Sequence, residues 1–189
     1  MAIFPIVTYD DPLLRSHAEP VDSNSPELQK FIDDLFETMY EASGVGLAAP
    51  QVGRSLQIFI VDADAITESE GEPAHGPMVF INPVITPDQE ELWDAEEGCL
   101  SIPDVREKVT RPDSIRIRFL DRDFHPREEQ HHGWFARVLQ HEYDHLHGVL
   151  FIDHLGAFRK RLIKSKLDEI KSGRIETEYQ LASKTSVDK

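Results

Sequence analysis

Apolar residues recur at helical spacing near the start of the chain: Leu28, Phe31, Ile32, Leu35, Phe36, Met39 and Tyr40. Ser25-Pro26-Glu27 suits the entry to that helix, with a capping hydroxyl, a proline in the first turn and an acid behind it. Ser43-Gly44 suits its end. A second helical pattern runs from Trp134 to about His147, entered through Gly133 and stopped by Gly148. A third covers 159–171, with Leu162, Ile163, Lys166, Leu167 and Ile170 as a mixed inner face. Between the first two helices the pattern shortens, and strands are predicted at 56–62, 78–83, 84–92, 107–111, 115–120 and 128–132. Residues 44–53 read as a small-residue loop, 68–77 as a mobile loop rich in Gly, Pro and Glu, and 173–189 as a flexible polar tail. Runs of strands with a few helices, without strict alternation, indicate an α+β fold. No linker divides the chain, so one domain is expected over 1–172.

Composition narrows the class. A chain of 189 residues with 40% hydrophobic and 29% charged content is ordinary for a globular protein. The opening stretch has no basic region followed by an apolar run, and no window nears the roughly 18 apolar residues of a spanning helix. Neither a signal peptide nor a membrane partner is expected. The lone Cys99 cannot form an intrachain disulfide, so a cytoplasmic location is expected. The net charge of −15 argues against a general nucleic-acid surface or recognition of a nucleic-acid sequence. Between Arg159 and Arg174, seven basic residues face only Asp168 and Glu169, making the stretch +5 and the rest of the chain −20. That stretch is either a solvated helix with basic residues near its end or a docking helix for an anionic partner.

Candidate chemistry concentrates in His141-Glu142-Tyr143-Asp144-His145, inside the second helical pattern. Histidines four residues apart share a helix face with β-carbons about 5–6 Å apart. Two imidazoles can then grip one metal ion, with Glu142 beside them as a base for water. Trp134 and Val138 fall on the same face and would wall a dry pocket beside the ion. Two surface histidines and a chance glutamate are the plain alternative. In a metzincin the third histidine would stand at Phe151, which cannot bind metal. Glu169 lies in a charged, exposed stretch. Cys99 is the better third ligand and would leave a fourth position for water, although a lone cysteine is ordinarily a small buried hydrophobe. Asp144 points away from the metal side and is expected to anchor the helix to the core. Arg137 is expected at the pocket rim.

Three segments in one order then carry a resemblance: Gly44-Val45-Gly46-Leu47-Ala48-Ala49-Pro50-Gln51, Glu97-Gly98-Cys99-Leu100-Ser101 and Gln140-His141-Glu142-Tyr143-Asp144-His145. Together they resemble the peptide deformylases. The likeness spans nearly the whole chain and weakens at 62–77 and in the last dozen residues. It implies antiparallel β-sheets around a central metal-binding helix, with an N-terminal and a C-terminal helix. It implies that Cys99, His141 and His145 hold one divalent metal, usually Fe(II), with Zn, Ni and Co also accepted, and water as fourth ligand. Glu142 would be general base and then acid. Gln51 and the backbone N–H of Leu100 would stabilise the oxyanion. Gly46 would pair with the substrate peptide as an added strand. The implied reaction removes the N-formyl group from the initiator methionine of nascent peptides and releases formate.

The same likeness places Glu97 and Arg106 near the bound peptide. By position, Val45, Trp134 and Val138 surround the methionine side chain, with plain core as the alternative for Trp134. It also suggests a ribosome contact for the basic stretch 159–174. Two other readings stay open. A His-Glu-x-x-His zinc peptidase is weakened by Phe151. A non-catalytic ribosome or nascent-chain binder with a structural metal would need neither Glu142 nor Gln51.

Overall fold

The computed structural model describes residues 2–88 and 91–183. Helix α1 (Pro26–Glu41) begins where Ser25 Oγ accepts the Leu28 N–H at 3.2 Å. It ends just before Ser43, which takes the left-handed conformation with φ 54°. Leu28, Ile32, Leu35 and Met39 point inward at helical spacing, and each such burial stabilises by about 1.5–3 kcal/mol.

Their target is a five-stranded antiparallel sheet with strand order β1 (Gly46–Ala48), β2 (Ile58–Val61), β3 (Met78–Pro87), β6 (Ser114–Leu120), β7 (Pro126–His132). All four residues of β2 are buried, because both faces are covered. Ile58 and Ile60 meet α1, while Phe59 and Val61 meet Phe135 and Leu139 of α3 (Gly133–Leu146). The metal-motif helix therefore lies on one face of the sheet and α1 on the other. A separate two-stranded sheet, β4 (Leu92–Cys99) and β5 (Ile102–Pro112), packs with α4 (Ala157–Lys171) around a third apolar cluster. No helix among the described residues is long and apolar enough to cross a membrane.

Several elements differ from the sequence reading. The expected strands 78–83 and 84–92 are largely one strand, β3, which runs through Pro83. A register shift between Ile81 and Val84 accommodates the proline, and Asn82 (φ 48°) exchanges two hydrogen bonds with the backbone of Val21, both 2.8 Å. Residues 89–90 lie outside the described residues. β4 was not expected, because its acidic face hides the alternation of buried positions. The loop 44–53 contains β1 and a 3-10 turn at Ala49–Val52.

A short helix, α2 (Asp64–Ser69), reaches into the expected loop 68–77, and the rest of that loop is tied down. Asp64 accepts the N–H groups of His75 and Gly76, and Glu72 accepts the N–H of Trp134 with both carboxylate oxygens. Helix α4 turns Ile163 and Ile170 inward but leaves Leu162 59% exposed, so Leu162 does not belong to its inner face. Residues 173–183 pack back on the body through a parallel bridge between Ile6 and Leu181, so this part of the expected tail is held. Residues 184–189 lie outside the described residues.

Gly148 ends α3 with φ 72°, and a Cβ there would stand 2.7 Å from the backbone carbon of Arg15. Gly53 has a similar φ of 77° with open space around it. Gly148→Ala should lower the urea unfolding free energy by about 1–3 kcal/mol from backbone strain, plus a clash cost that Gly53→Ala escapes. Equal losses in the two variants would show that the Arg15 contact costs nothing.

Candidate metal centre

Helix α3 enters through Gly133, whose φ of 63° lets the chain swing out of β7. Helical geometry then puts His141 and His145 on one face, with ring centroids 5.1 Å apart. Cys99 arrives from the end of β4, where the register shifts between Gly98 and Cys99. Its Sγ lies 3.4 Å from His145 Nε2, and one ligand atom from each of Cys99, His141 and His145 falls within 4.8 Å of the others. A second grouping, Asp121, Asp123 and His125, sits on an exposed turn.

The ligand set is oriented from behind. Glu97 Oε2 lies 3.0 Å from His141 Nδ1, which leaves Nε2 as the free ligand nitrogen. The same carboxylate receives Arg111 at 2.6 and 3.0 Å and Arg137 at 2.7 Å. Burial alone would raise the Glu97 carboxyl, but hydrogen bonds from His141 and Arg111 hold it well below the usual carboxylate range. Glu97 was expected to touch the substrate. It lies in the cleft wall, and both its oxygens are engaged by these donors, so it also braces His141. Arg137 was expected at the rim, yet it is 1% exposed, bonded to the carbonyls of Val109 and Trp93 and stacked over the Trp93 ring at 4.3 Å. Asp144 does anchor the helix, accepting from Arg111 at 2.9 Å and lying 2.8 Å from His154 Nε2.

Glu142 is buried next to the ligands, and burial pushes its carboxyl up to about 7. Among the described residues, Glu142 Oε2 and His145 Nδ1 have no hydrogen-bond partner. Gly46 makes room for this acid: a Cβ at Gly46 would stand 2.5 Å from Glu142 Oε1. Gly44 similarly clears the Leu100 side chain, with a would-be contact of 2.9 Å. Gln51 is buried, and its Oε1 accepts the Ala48 N–H at 2.8 Å. Its NH2 end is thereby aimed at Cys99 Sγ (3.6 Å) and Ser101 Oγ (3.3 Å).

These groups open onto one cleft of about 930 Å³ between the edge strand β1 and the β4–β5 hairpin. Val45, Gly46 and Leu100 line it, as do Trp134, Val138 and the exposed Arg106. Trp134 also meets Trp93 edge-on at 5.1 Å. The residues that sequence reasoning missed are the braces: Arg111, Glu72, Ser101 and Tyr179. Ser101 lies inside the second motif segment, whereas Arg111, Glu72 and Tyr179 stand at no telling spacing from the motif residues.

A thiolate and two imidazoles suit a borderline divalent ion, and the unpartnered, buried Glu142 oxygen beside them suits a water on such an ion. The residues fit a metal.

Comparison with known proteins adds an independent finding. The profile described as polypeptide deformylase matches residues 3–161. The chain is 51% identical over 187 residues to a peptide deformylase of Salinibacter ruber, covering 96% of this chain and 95% of that protein. Its fold is similar to the crystal structure of a peptide deformylase from Legionella pneumophila, with TM-score 0.80, 39% identity, and 92% and 98% of the two chains covered. It is also similar to the peptide deformylase of Ehrlichia chaffeensis in complex with actinonin, with TM-score 0.83, 35% identity, and 93% and 100% covered.

Two substitutions test the centre. Cys99→Ser should retain little metal after dialysis against a chelator, with circular dichroism unchanged. Glu97→Gln should weaken metal affinity about 10–100-fold in a competition titration. Undiminished affinity in Glu97→Gln would mean that His141 needs no brace.

Proposed function

The chain belongs to the polypeptide deformylase family, and from that premise we propose how its residues divide the work. The enzyme removes the N-formyl group from newly made polypeptides and releases formate. The observation that carries the division of labour is the meeting of Cys99, His141 and His145 beside a buried Glu142.

Cys99, His141 and His145 hold the divalent ion, and Fe(II) is the ion we propose for the working enzyme, with Zn, Ni or Co as substitutes. When bound, the ion supplies Lewis acidity, which acidifies water and polarises the formyl carbonyl. Glu142 takes the proton from the attacking water and delivers it to the amine nitrogen as the C–N bond breaks. Its raised carboxyl suits that exchange near neutrality. Gln51 Nε2 and the Leu100 N–H face the developing oxyanion, and the Ala48–Gln51 hydrogen bond supports that aim.

The peptide lies along β1, whose second edge has no strand partner among the described residues. Gly46 then serves twice, giving backbone groups to the peptide and space to Glu142. Val45, Trp134 and Val138 surround the methionine side chain, and Arg106 stands at the rim. The similar peptide deformylase from Acinetobacter baumannii has Met-Ala-Ser bound, which supports a peptide occupant here. The zinc-peptidase and pure-binder readings fall away with the family assignment, and Phe151 is buried with its ring 6.1 Å from that of His141. We place the enzyme in the cytoplasm with nascent formylated chains as substrates. The basic residues of α4, together with Phe158 at 72% exposure, support a ribosome contact.

Formate release from formyl-Met-Ala-Ser, measured anaerobically with Fe(II) or Ni(II), should fall about 10²–10⁴-fold in Glu142→Ala with metal content retained. A smaller loss with metal still bound would assign the proton transfer elsewhere. Trp134→Ala should cut the kcat/KM preference for formyl-Met over formyl-Ala substrates by about tenfold or more. An unchanged ratio would return Trp134 to plain core.

A further inference from the structure

The family match ends at residue 161, but the chain returns to the active cleft after α4. The Ile6 N–H donates to Gln180 O at 2.9 Å, and the Ala182 N–H donates to Ile6 O at 2.8 Å. Leu181 packs with the cluster beneath α1, and Ile175 and Ala182 pack with the cluster beneath β4–β5. Between these attachments, Glu176, Thr177, Glu178 and Tyr179 form one wall of the cleft.

Tyr179 is the member that touches the chemistry-bearing turn. Its phenol donates to the Leu100 carbonyl at 2.7 Å. Burial pushes the phenol above its ordinary value, so it stays protonated and remains a donor. Leu100 and Ser101 are the two central residues of the β4–β5 hairpin, since Cys99 pairs with Ile102. The turn has other handles: the Tyr9 N–H donates to Ser101 O at 2.9 Å, and Gln51 Nε2 donates to Ser101 Oγ. The strand pairing of Cys99 anchors only one end of the peptide group that carries the Leu100 N–H. Among the described residues, Tyr179 supplies the hydrogen bond on the peptide group after it.

We infer that Tyr179 is a positioning residue for the oxyanion donor: by gripping the Leu100 carbonyl it fixes the rotation of the turn and the aim of the Leu100 N–H. The inference rests on the reading that this N–H and Gln51 serve the oxyanion. A donor of that kind acts through its placement, and an error of about 1 Å near reacting atoms can cost 10²-fold. The residue lies in a segment that the family profile does not reach, so the C-terminal strap is part of this enzyme's catalytic scaffold.

Tyr179→Phe keeps the ring and removes only the hydroxyl. With the metal-loaded full chain and formyl-Met-Ala-Ser, kcat should fall about tenfold, the low end for the loss of an outer partner. KM, bound metal and the urea midpoint should stay near wild type, which a merely structural role would not predict. Gln51→Met provides the second arm, and the double variant should lose less than the product of the two single losses. If Gln51→Met lowers kcat and Tyr179→Phe does not, the inference is overturned while the oxyanion reading stands. If Gln51→Met leaves kcat unchanged, the oxyanion reading fails and takes the inference with it. A Tyr179→Phe loss matched by lost metal, or confined to KM, also overturns it.

Discussion

One buried carboxylate, Glu97, joins the two halves of the molecule. It sits near the end of β4 and receives Arg111 from β5 as well as Arg137 and His141 from α3. Taking an ion out of water costs several kcal/mol, and only well-placed partners offset it. Glu97 has four hydrogen-bond contacts from three side chains, and Asp144 adds a second carboxylate by accepting from Arg111. With both arginines and both acids charged, the group is neutral overall. The β4–β5 hairpin and the large sheet bury separate apolar clusters, so packing alone would leave their relative placement loosely set. The ion network sets it, and it brings Cys99 from one half against His145 from the other. It also decides which nitrogen of His141 faces the cleft.

A second constraint is closeness. Gly46 is not in a left-handed conformation, so its missing side chain is needed for approach and not for backbone freedom. The edge strand β1 runs against the Glu142 carboxylate at Gly46. Burial of Glu142 raises its carboxyl to about 7. A larger residue at Gly46 would disturb that approach.

The sequence is most legible where burial follows local periodicity. The face of α1, the histidine face of α3 and the apolar run of β2 follow from spacing alone. The three motif segments could be recognised as a set, though spacing says nothing of how they meet. What stayed hidden depends on partners distant in sequence. A fully buried arginine is rare, so Arg137 reads as a rim residue until Glu97, 40 positions away, is seen to receive it. Glu97 reads only as a substrate contact for the complementary reason. β4 goes unassigned beyond Leu92 because its exposed positions are acidic and hide the alternation. The polar segment after α4 gives no sign that its tyrosine reaches a carbonyl 79 positions back.

Apart from α3, the elements around the cleft include short ones: three residues of β1, a two-residue turn and a single 3-10 turn holding Gln51. Such pieces bury too little to hold themselves rigid, since ordering each residue costs about 1–2 kcal/mol in backbone entropy. Their order comes from cross-links supplied by the chain's two ends. The N-terminal segment binds the turn through Tyr9 and Gln51 through Val7, whose N–H donates to Gln51 O at 2.9 Å. The C-terminal strap binds the turn through Tyr179 and locks onto the same N-terminal segment at Ile6. Loosening the strap would free the Leu100 carbonyl while Tyr9, Gln51, α3, the sheet and the Glu97 network kept their contacts. Those hydrogen bonds are separable from the packing of the core, so local opening at the turn costs less free energy than unfolding.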